Sequence, residues 1–299
     1  MCAYFEPEWR PEHIDEMYAL GYNAVLFCIT EADVTEQSRE LKPTIDYARN
    51  RGMTCQAELW NFAGVFGGEA PSAFANDENE QACLGNPNFR WLLADGIDRV
   101  KDLGFDSIFW DEPNFSNVKN LNPCDCCESH ELELIRQVAA YTSKTALHNT
   151  VCMTSTDKNY EKLGILASEG HVKGIATDPY YSNFPGDNND EPPGYVGKWA
   201  ARLMDLEDFY GTQAQIWVQG FHLPTPDDSK MAWYEEADAR PWHEVPLMAA
   251  KAALDEGVSS IGFWGFRACC DIPELAPAYP ERVWQNTASL TGLVYNQCS

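Results

Sequence analysis

Two rhythms alternate along the chain. Segments with apolar residues spaced three and four apart predict amphipathic helices, and each is followed by short apolar runs with the length and β-branched or aromatic content of buried strands. A glycine often stands at the junction, as in "LGYNAVLFCITE" from Leu20, "RGMTCQAELW" from Arg51, "LGFDSIFWDE" from Leu103, "EGHVKGIATD" from Glu169 and "EGVSSIGFWGF" from Glu256. Gly is the residue that caps a helix C-terminus in the left-handed conformation, so each junction reads as helix, cap, strand. Helical spacing covers Pro11 to Leu20, Val34 to Asn50, Phe89 to Leu103, Glu128 to Lys144, Tyr160 to Ser168, Tyr195 to Tyr210, Val245 to Glu256 and Pro280 to Tyr295. In the first of these, Ile14, Met17, Tyr18 and Leu20 form the expected apolar face, with Glu12, Asp15 and Glu16 pointing elsewhere.

Eight strand segments lie between: Cys2 to Glu6, Ala24 to Thr30, Thr54 to Trp60, Asp106 to Asp111, Val151 to Ser155, Gly174 to Asp178, Gln215 to Gln219 and Ser259 to Trp264. Alternating strands and helices imply a parallel sheet with helical crossovers. Eight such units in 299 residues predict an α/β fold, a (β/α)8 TIM barrel in one domain over residues 1 to 299. A doubly wound sheet is the alternative, but no G-x-G-x-x-G follows the first strand. Asn61 to Asn88, Ser182 to Gly194 and Phe221 to Trp242 are long, aromatic or acidic connections after strands, and are expected to be cleft-forming βα loops.

Forty-six acidic against 21 basic residues give a net charge of -25, which repels phosphate backbones and anionic membrane surfaces. No nucleic-acid or membrane partner is expected. The acidic N-terminal stretch does not read as a signal peptide, and no segment approaches the roughly 18 apolar residues of a membrane span. The odd number of cysteines, 11, with Cys28, Cys55 and Cys152 inside apolar runs, suggests reduced thiols and a cytoplasmic location, although a removed leader would leave no trace.

In a barrel of this kind the C-terminal strand ends converge on one pocket. Those ends read Glu6, Thr30 with Glu31, Glu58 with Trp60, Trp110 with Asp111 and Glu112, Asp157, Asp178 with Tyr180 and Tyr181, Trp217 with Gln219, and Trp264 with Arg267. Carboxylates among aromatic rings suit glycosidic bond cleavage, which needs one carboxylic acid to protonate the leaving oxygen and one carboxylate to act as nucleophile or base. Aromatic faces stack on the C–H surfaces of sugars. The bland alternatives are helix capping by Asp111 and Glu112, a turn-initiating Asp178-Pro179, an ion-pairing Glu58, and Glu6 paired with Arg267.

"FWDEPNF", residues 109 to 115, resembles the Asn-Glu-Pro at the fourth strand of many TIM-barrel glycoside hydrolases, in which the Glu is the acid/base. It is also similar to the fourth-strand Asp motif of retaining α-glycosidases and to the Asp-Glu pair of β-hexosaminidases, where the substrate's acetamido group is the nucleophile. The resemblance implies Glu112 as acid/base and Asp111 as nucleophile or orienting Asp. Asp178, in "IATDPYY", matches the place of a second carboxylate in some α-glycosidases. In the commonest retaining scheme a Glu ends the seventh strand, whereas "IWVQGF" has Gln219 there, so the nucleophile would be Asp111, Asp178 or the substrate itself, unless Gln219 replaces a Glu.

The expectation is a glycoside hydrolase acting on an oligosaccharide or glycoconjugate without cofactor or metal. Its catalytic residues would be Glu112, Asp111 and Asp178. Glu58, Trp60, Trp110, Tyr180, Tyr181, Trp217, Gln219, Trp264, Arg267 and Glu6 would contact the carbohydrate. A metal-dependent sugar isomerase or aldolase, with Glu58, Asp111 and Asp178 as oxygen ligands, is the alternative enzyme. Gln219 keeps a third possibility open, a carbohydrate-binding barrel without catalysis. "NPCDCCESH" brings Cys124, Cys126, Cys127 and His130 together, but its spacing is poor for a structural zinc site.

Overall fold

The computed structural model describes residues 2–5, 10–29, 38–59, 87–111, 125–180, 192–220, 244–265 and 280–290. These contain eight strands: β1 (Cys2–Phe5), β2 (Ala24–Ile29), β3 (Thr54–Leu59), β4 (Ser107–Trp110), β5 (His148–Met153), β6 (Gly174–Thr177), β7 (Gln213–Gln219) and β8 (Ser260–Trp264). Eight helices alternate with them: α1 (Pro11–Ala19), α2 (Ser38–Asn50), α3 (Pro87–Leu103), α4 (Asp125–Lys144), α5 (Asp157–Ser168), α6 (Pro192–Tyr210), α7 (Val245–Asp255) and α8 (Pro280–Ala288).

The helices begin where proline permits. Pro11, Pro87, Pro192, Pro246 and Pro280 each occupy the first or second helical position, where a missing N–H costs nothing and the fixed φ fits the helix. For this reason α3 and α6 start before the first residue of their apolar periodicity, Phe89 and Tyr195. Helix α5 starts at Asp157 because the Thr156 side chain accepts from the Asn159 N–H at 3.2 Å. Asp157 is therefore an exposed first-turn residue of a helix, not a strand-end carboxylate.

All five glycines at the helix–strand junctions have positive φ: Gly21, Gly52, Gly104, Gly170 and Gly257. Gly211, before β7, is a sixth. After α4 no glycine is available and Ala146 takes φ 67 in its place, the one positive-φ non-glycine among the described residues. Strand β5 accordingly starts at His148, three residues earlier than the apolar run suggested, and ends at Met153.

By contact density the chain splits into two compact units, Leu26–Ile175 and Met1–Val25 with Ala176–Ser299. In the first, β3, β4 and β5 pair in parallel, with Glu58 level with Phe109 and Trp110 level with Val151. Helix α2 buries Leu41, Ile45 and Ala48, and the Cys55 thiol reaches the Ile45 carbonyl at 3.8 Å, which identifies the helix-covered face of this sheet. At the start of β4, the Asp106 carboxylate accepts from the Cys55 N–H at 2.9 Å and lies 3.6 Å from the Arg49 guanidinium.

In the second unit β8 pairs in parallel with both β1 and β7. Tyr22 lies across Phe263, ring centroids 6.3 Å apart, and its hydroxyl hydrogen-bonds the Thr287 hydroxyl of α8 at 2.9 Å, which marks the helix-covered face here. Burial raises the Tyr22 phenol well above its ordinary value. Helix α1 buries Ile14 and Met17 completely, whereas Tyr18, expected on the same face, is half exposed. Cys28, Cys55 and Cys152 are buried and form no disulfide. No described helix is long and apolar enough to cross a membrane.

Candidate active site

Successive strand residues point to opposite faces, and residues level with each other on neighbouring strands share a face. In the β3–β4–β5 sheet, Cys55 faces the helices, so Ala57, Leu59, Ile108, Trp110, Asn149 and Val151 do as well. Gln56, Glu58, Ser107, Phe109, Thr150 and Cys152 occupy the other face, and Asp111, the next residue of that set, follows the last residue of β4. Glu58 is 2% exposed, Asp111 is half-buried, and a carboxylate oxygen of Asp111 lies within 4.8 Å of the Cys152 Sγ. A carboxylate buried to this degree is costly to keep.

This arrangement changes the role of Trp110. Its indole is on the helix-covered face, opposite to Asp111, 1% exposed and donating to the Asn149 Oδ1 at 2.5 Å. Trp110 therefore belongs to the layer between sheet and helices and not to a sugar-contacting surface. The adjacent-residue rule alone, applied to Trp110 and Asp111, predicts as much.

Strand β6 ends in a tight turn, in which the Tyr180 N–H donates to the Asp178 carbonyl at 2.7 Å with Pro179 between them, so Asp178 does start a turn. Its side chain is nevertheless 2% exposed. A Cβ at Gly174 would lie 2.4 Å from the Thr150 hydroxyl, which puts Gly174 on the face turned from the helices; Asp178 follows it at strand alternation. Tyr180 is half-buried.

In the β7–β8 pair, Trp217 is level with Gly262 and Gln219 with Trp264, all on the face away from Phe263. The Trp217 and Trp264 rings are tilted by 32° with centroids 4.4 Å apart. Trp217 spans the backbone of β8: a Cβ at Gly262 would meet its ring at 2.4 Å, so only glycine fits. Gly220 is held in the same way, between the Trp264 carbonyl and the Trp284 ring of α8. Trp217 and Gln219 are fully buried and Trp264 is 5% exposed, so the two rings fill the interior under the strand ends.

Of the thirteen candidate residues, Glu6, Trp60, Glu112, Tyr181 and Arg267 lie outside the described residues, as do Glu31 and Cys124. So do most of the three long connections, 61–86, 181–191 and 221–243. Residues Asp125 to His130 form the first turns of α4. The sequence marks Cys152 only as a buried thiol and does not mark Asn149, because the place of each beside β4 follows from strand pairing.

No protein-family model matches the chain, and no curated protein matches its sequence. Solved structures do resemble it. A GH5 family lichenase from Caldicellulosiruptor sp. F32 aligns at TM-score 0.57 and 13% identity, covering 96% of this chain and 88% of the lichenase. A protein provisionally described as an alpha-L-fucosidase from Bacteroides thetaiotaomicron aligns at TM-score 0.54 and 10% identity, over 99% of this chain and 90% of that one. A structure from Coccidioides immitis, provisionally described as a fructose-1,6-bisphosphate aldolase, aligns at TM-score 0.48 and 12% identity, over 99% and 86%. At such identities the likeness to the lichenase and fucosidase shows the fold alone, a parallel α/β fold of the TIM-barrel kind.

Proposed function

We propose that the chain forms one closed (β/α)8 barrel over residues 1 to 299 and acts as a glycoside hydrolase on an oligosaccharide or glycoconjugate. The pairing of the first strand with the last, β1 with β8, supports closure. The observation that carries the activity is the position of Asp111. It follows β4 directly on the sheet face turned from the helices, with the buried Glu58 on that face of β3 and Glu112 next in sequence.

Glu112 is the acid/base that protonates the leaving oxygen, and Asp111 or Asp178 is the partner carboxylate, or else orients a nucleophile supplied by the substrate. Glu58, Trp60, Tyr180, Tyr181, Arg267 and Glu6 bind sugar hydroxyls and ring faces. Gln219 donates or accepts as a neutral amide and takes no proton. A carboxyl separation of about 5 Å goes with retention of configuration, and one of about 6.5–9.5 Å with inversion. The test is a panel of nitrophenyl α- and β-glycosides, N-acetylhexosaminides included, with wild type and Glu112→Gln. Turnover of a true substrate by Glu112→Gln within a few-fold of wild type removes the acid/base assignment.

A second reading, a metal-dependent isomerase or aldolase, is favoured by the closeness of the Asp111 carboxylate to the Cys152 thiol, both metal-ligand types. Activity abolished by EDTA and restored by a divalent ion selects it; activity indifferent to EDTA removes it.

A further inference from the structure

We propose that Asn149 is a positioning residue for the carboxyl of Asp111, acting through the Trp110 indole. This inference rests on the glycosidase reading for its kinetic consequence, though not for its structural one. Asn149, the second residue of β5, is fully buried and uses both ends of its side-chain amide. Its Oδ1 accepts from Trp110 Nε1 at 2.5 Å, and its Nδ2 donates to the His171 carbonyl at 3.3 Å. Its own backbone carbonyl accepts from the Lys173 N–H at 2.9 Å, and the Ser143 hydroxyl donates to the same His171 carbonyl at 2.9 Å. One buried amide thus ties the last residue of β4 to the segment that enters β6.

The geometry gives this tie a direction. Trp110 and Asp111 are consecutive and face opposite sides of the sheet, so the rotation of the peptide between them sets both side chains together. Anchoring the indole on the helix side at Asn149 fixes the angle at which the Asp111 carboxyl emerges on the other. That angle matters because β4 ends at Trp110, and Asp111 is the first residue after its ladder of hydrogen bonds. A buried amide must find partners for both of its ends, and Asn149 does so at Trp110 and at the His171 carbonyl. Retaining the amide is accounted for if the site requires Asp111 in one place.

Two variants test the claim, Asn149→Leu, which removes both side-chain bonds while keeping the branched heavy-atom skeleton in a bulkier side chain, and Trp110→Phe, which removes the indole N–H together with the pyrrole part of the ring. Each is assayed below its melting temperature on the glycoside that wild type turns over. Crystal structures of both and of wild type are compared at Asp111. The expected result is kcat lowered about 10- to 100-fold with KM within about twofold, the effect of misplacing a reacting group by about 1 Å. The Asp111 carboxyl should be visibly displaced, and the double variant no worse in kcat than Asn149→Leu alone, since both variants break the Trp110–Asn149 bond. If Asn149→Leu does not fold, Trp110→Phe alone decides. An Asp111 carboxyl in its wild-type position in the variant crystals overturns the inference, as does an unchanged kcat in a protein that hydrolyses glycosides. Absence of glycosidase activity in wild type overturns the functional reading alone, and the crystallographic comparison then still decides the positioning role.

Discussion

The β3–β4–β5 sheet and the β7–β8 pair share a fold plan and differ in what they place on the face turned from their helices. The first offers Glu58, Asp111 and Cys152, groups that ionise. The second offers Trp217, Gln219 and Trp264, with Gly262 left bare so that an indole can lie across it. Identical strand geometry is thus put to two uses. One set of strand ends holds carboxyl and thiol groups where apolar side chains would pack at less cost, and the other fills space with rings. A carboxylate retained at a cost points to chemistry, whereas a ring over a glycine is accounted for by packing.

Four substitutions break or sharpen that contrast. Trp217→Ala empties a fully buried site and should cost about 3–5 kcal/mol, lowering the melting temperature by on the order of 10 °C in a circular dichroism melt. Loss of substrate affinity without loss of stability would instead make Trp217 a sugar contact. Asp111→Asn should do the opposite, cutting kcat by about 10²- to 10³-fold, or roughly 3–4 kcal/mol of transition-state stabilisation, while the melting temperature stays within about 2 °C of wild type. Next in size is Gly262→Ala, whose new Cβ meets the Trp217 ring. Overpacking of this kind costs about 1–3 kcal/mol, read as a lower denaturation midpoint at an unchanged slope in urea. The smallest effect belongs to Ala146→Gly, which relieves a left-handed alanine. The penalty removed is about 1–2 kcal/mol and the added backbone freedom returns part of it, so stability should rise by under about 1 kcal/mol.

Ala146 also shows where sequence reading stops. Wherever a junction carries glycine, the helix end and the next strand could be placed within a few residues, since glycine reports positive φ directly. After α4 the same turn is made by an alanine, and β5 was placed three residues late. Helix starts were misjudged for a related reason: apolar periodicity marks the buried face, whereas Pro87 and Pro192 mark where the backbone begins to coil. Trp110 adjoins Asp111 in the sequence and so reads as a neighbour in the site, although adjacency in a strand means opposite faces. Asn149, and the place of Cys152 beside Asp111, have no such signal. What distinguishes them from neighbouring core residues is the strand lying alongside, and register between strands distant in sequence has no local signature. Asp178, and Asp111 with Glu112, are legible because acidic residues closing an apolar run and followed by proline are conspicuous without any knowledge of their partners.

The central claim is that proton donation at the end of β4 cleaves a glycosidic bond. The direct measurement is kcat/KM of wild type and Glu112→Gln on two glycosides of the preferred sugar, one with a poor leaving group and one with dinitrophenolate, which departs without a proton. If Glu112 is the acid, its loss should cost about 10³-fold or more on the poor leaving group, roughly 4 kcal/mol, and far less on the activated one. Equal losses on the two substrates, or no loss on either, would contradict the account.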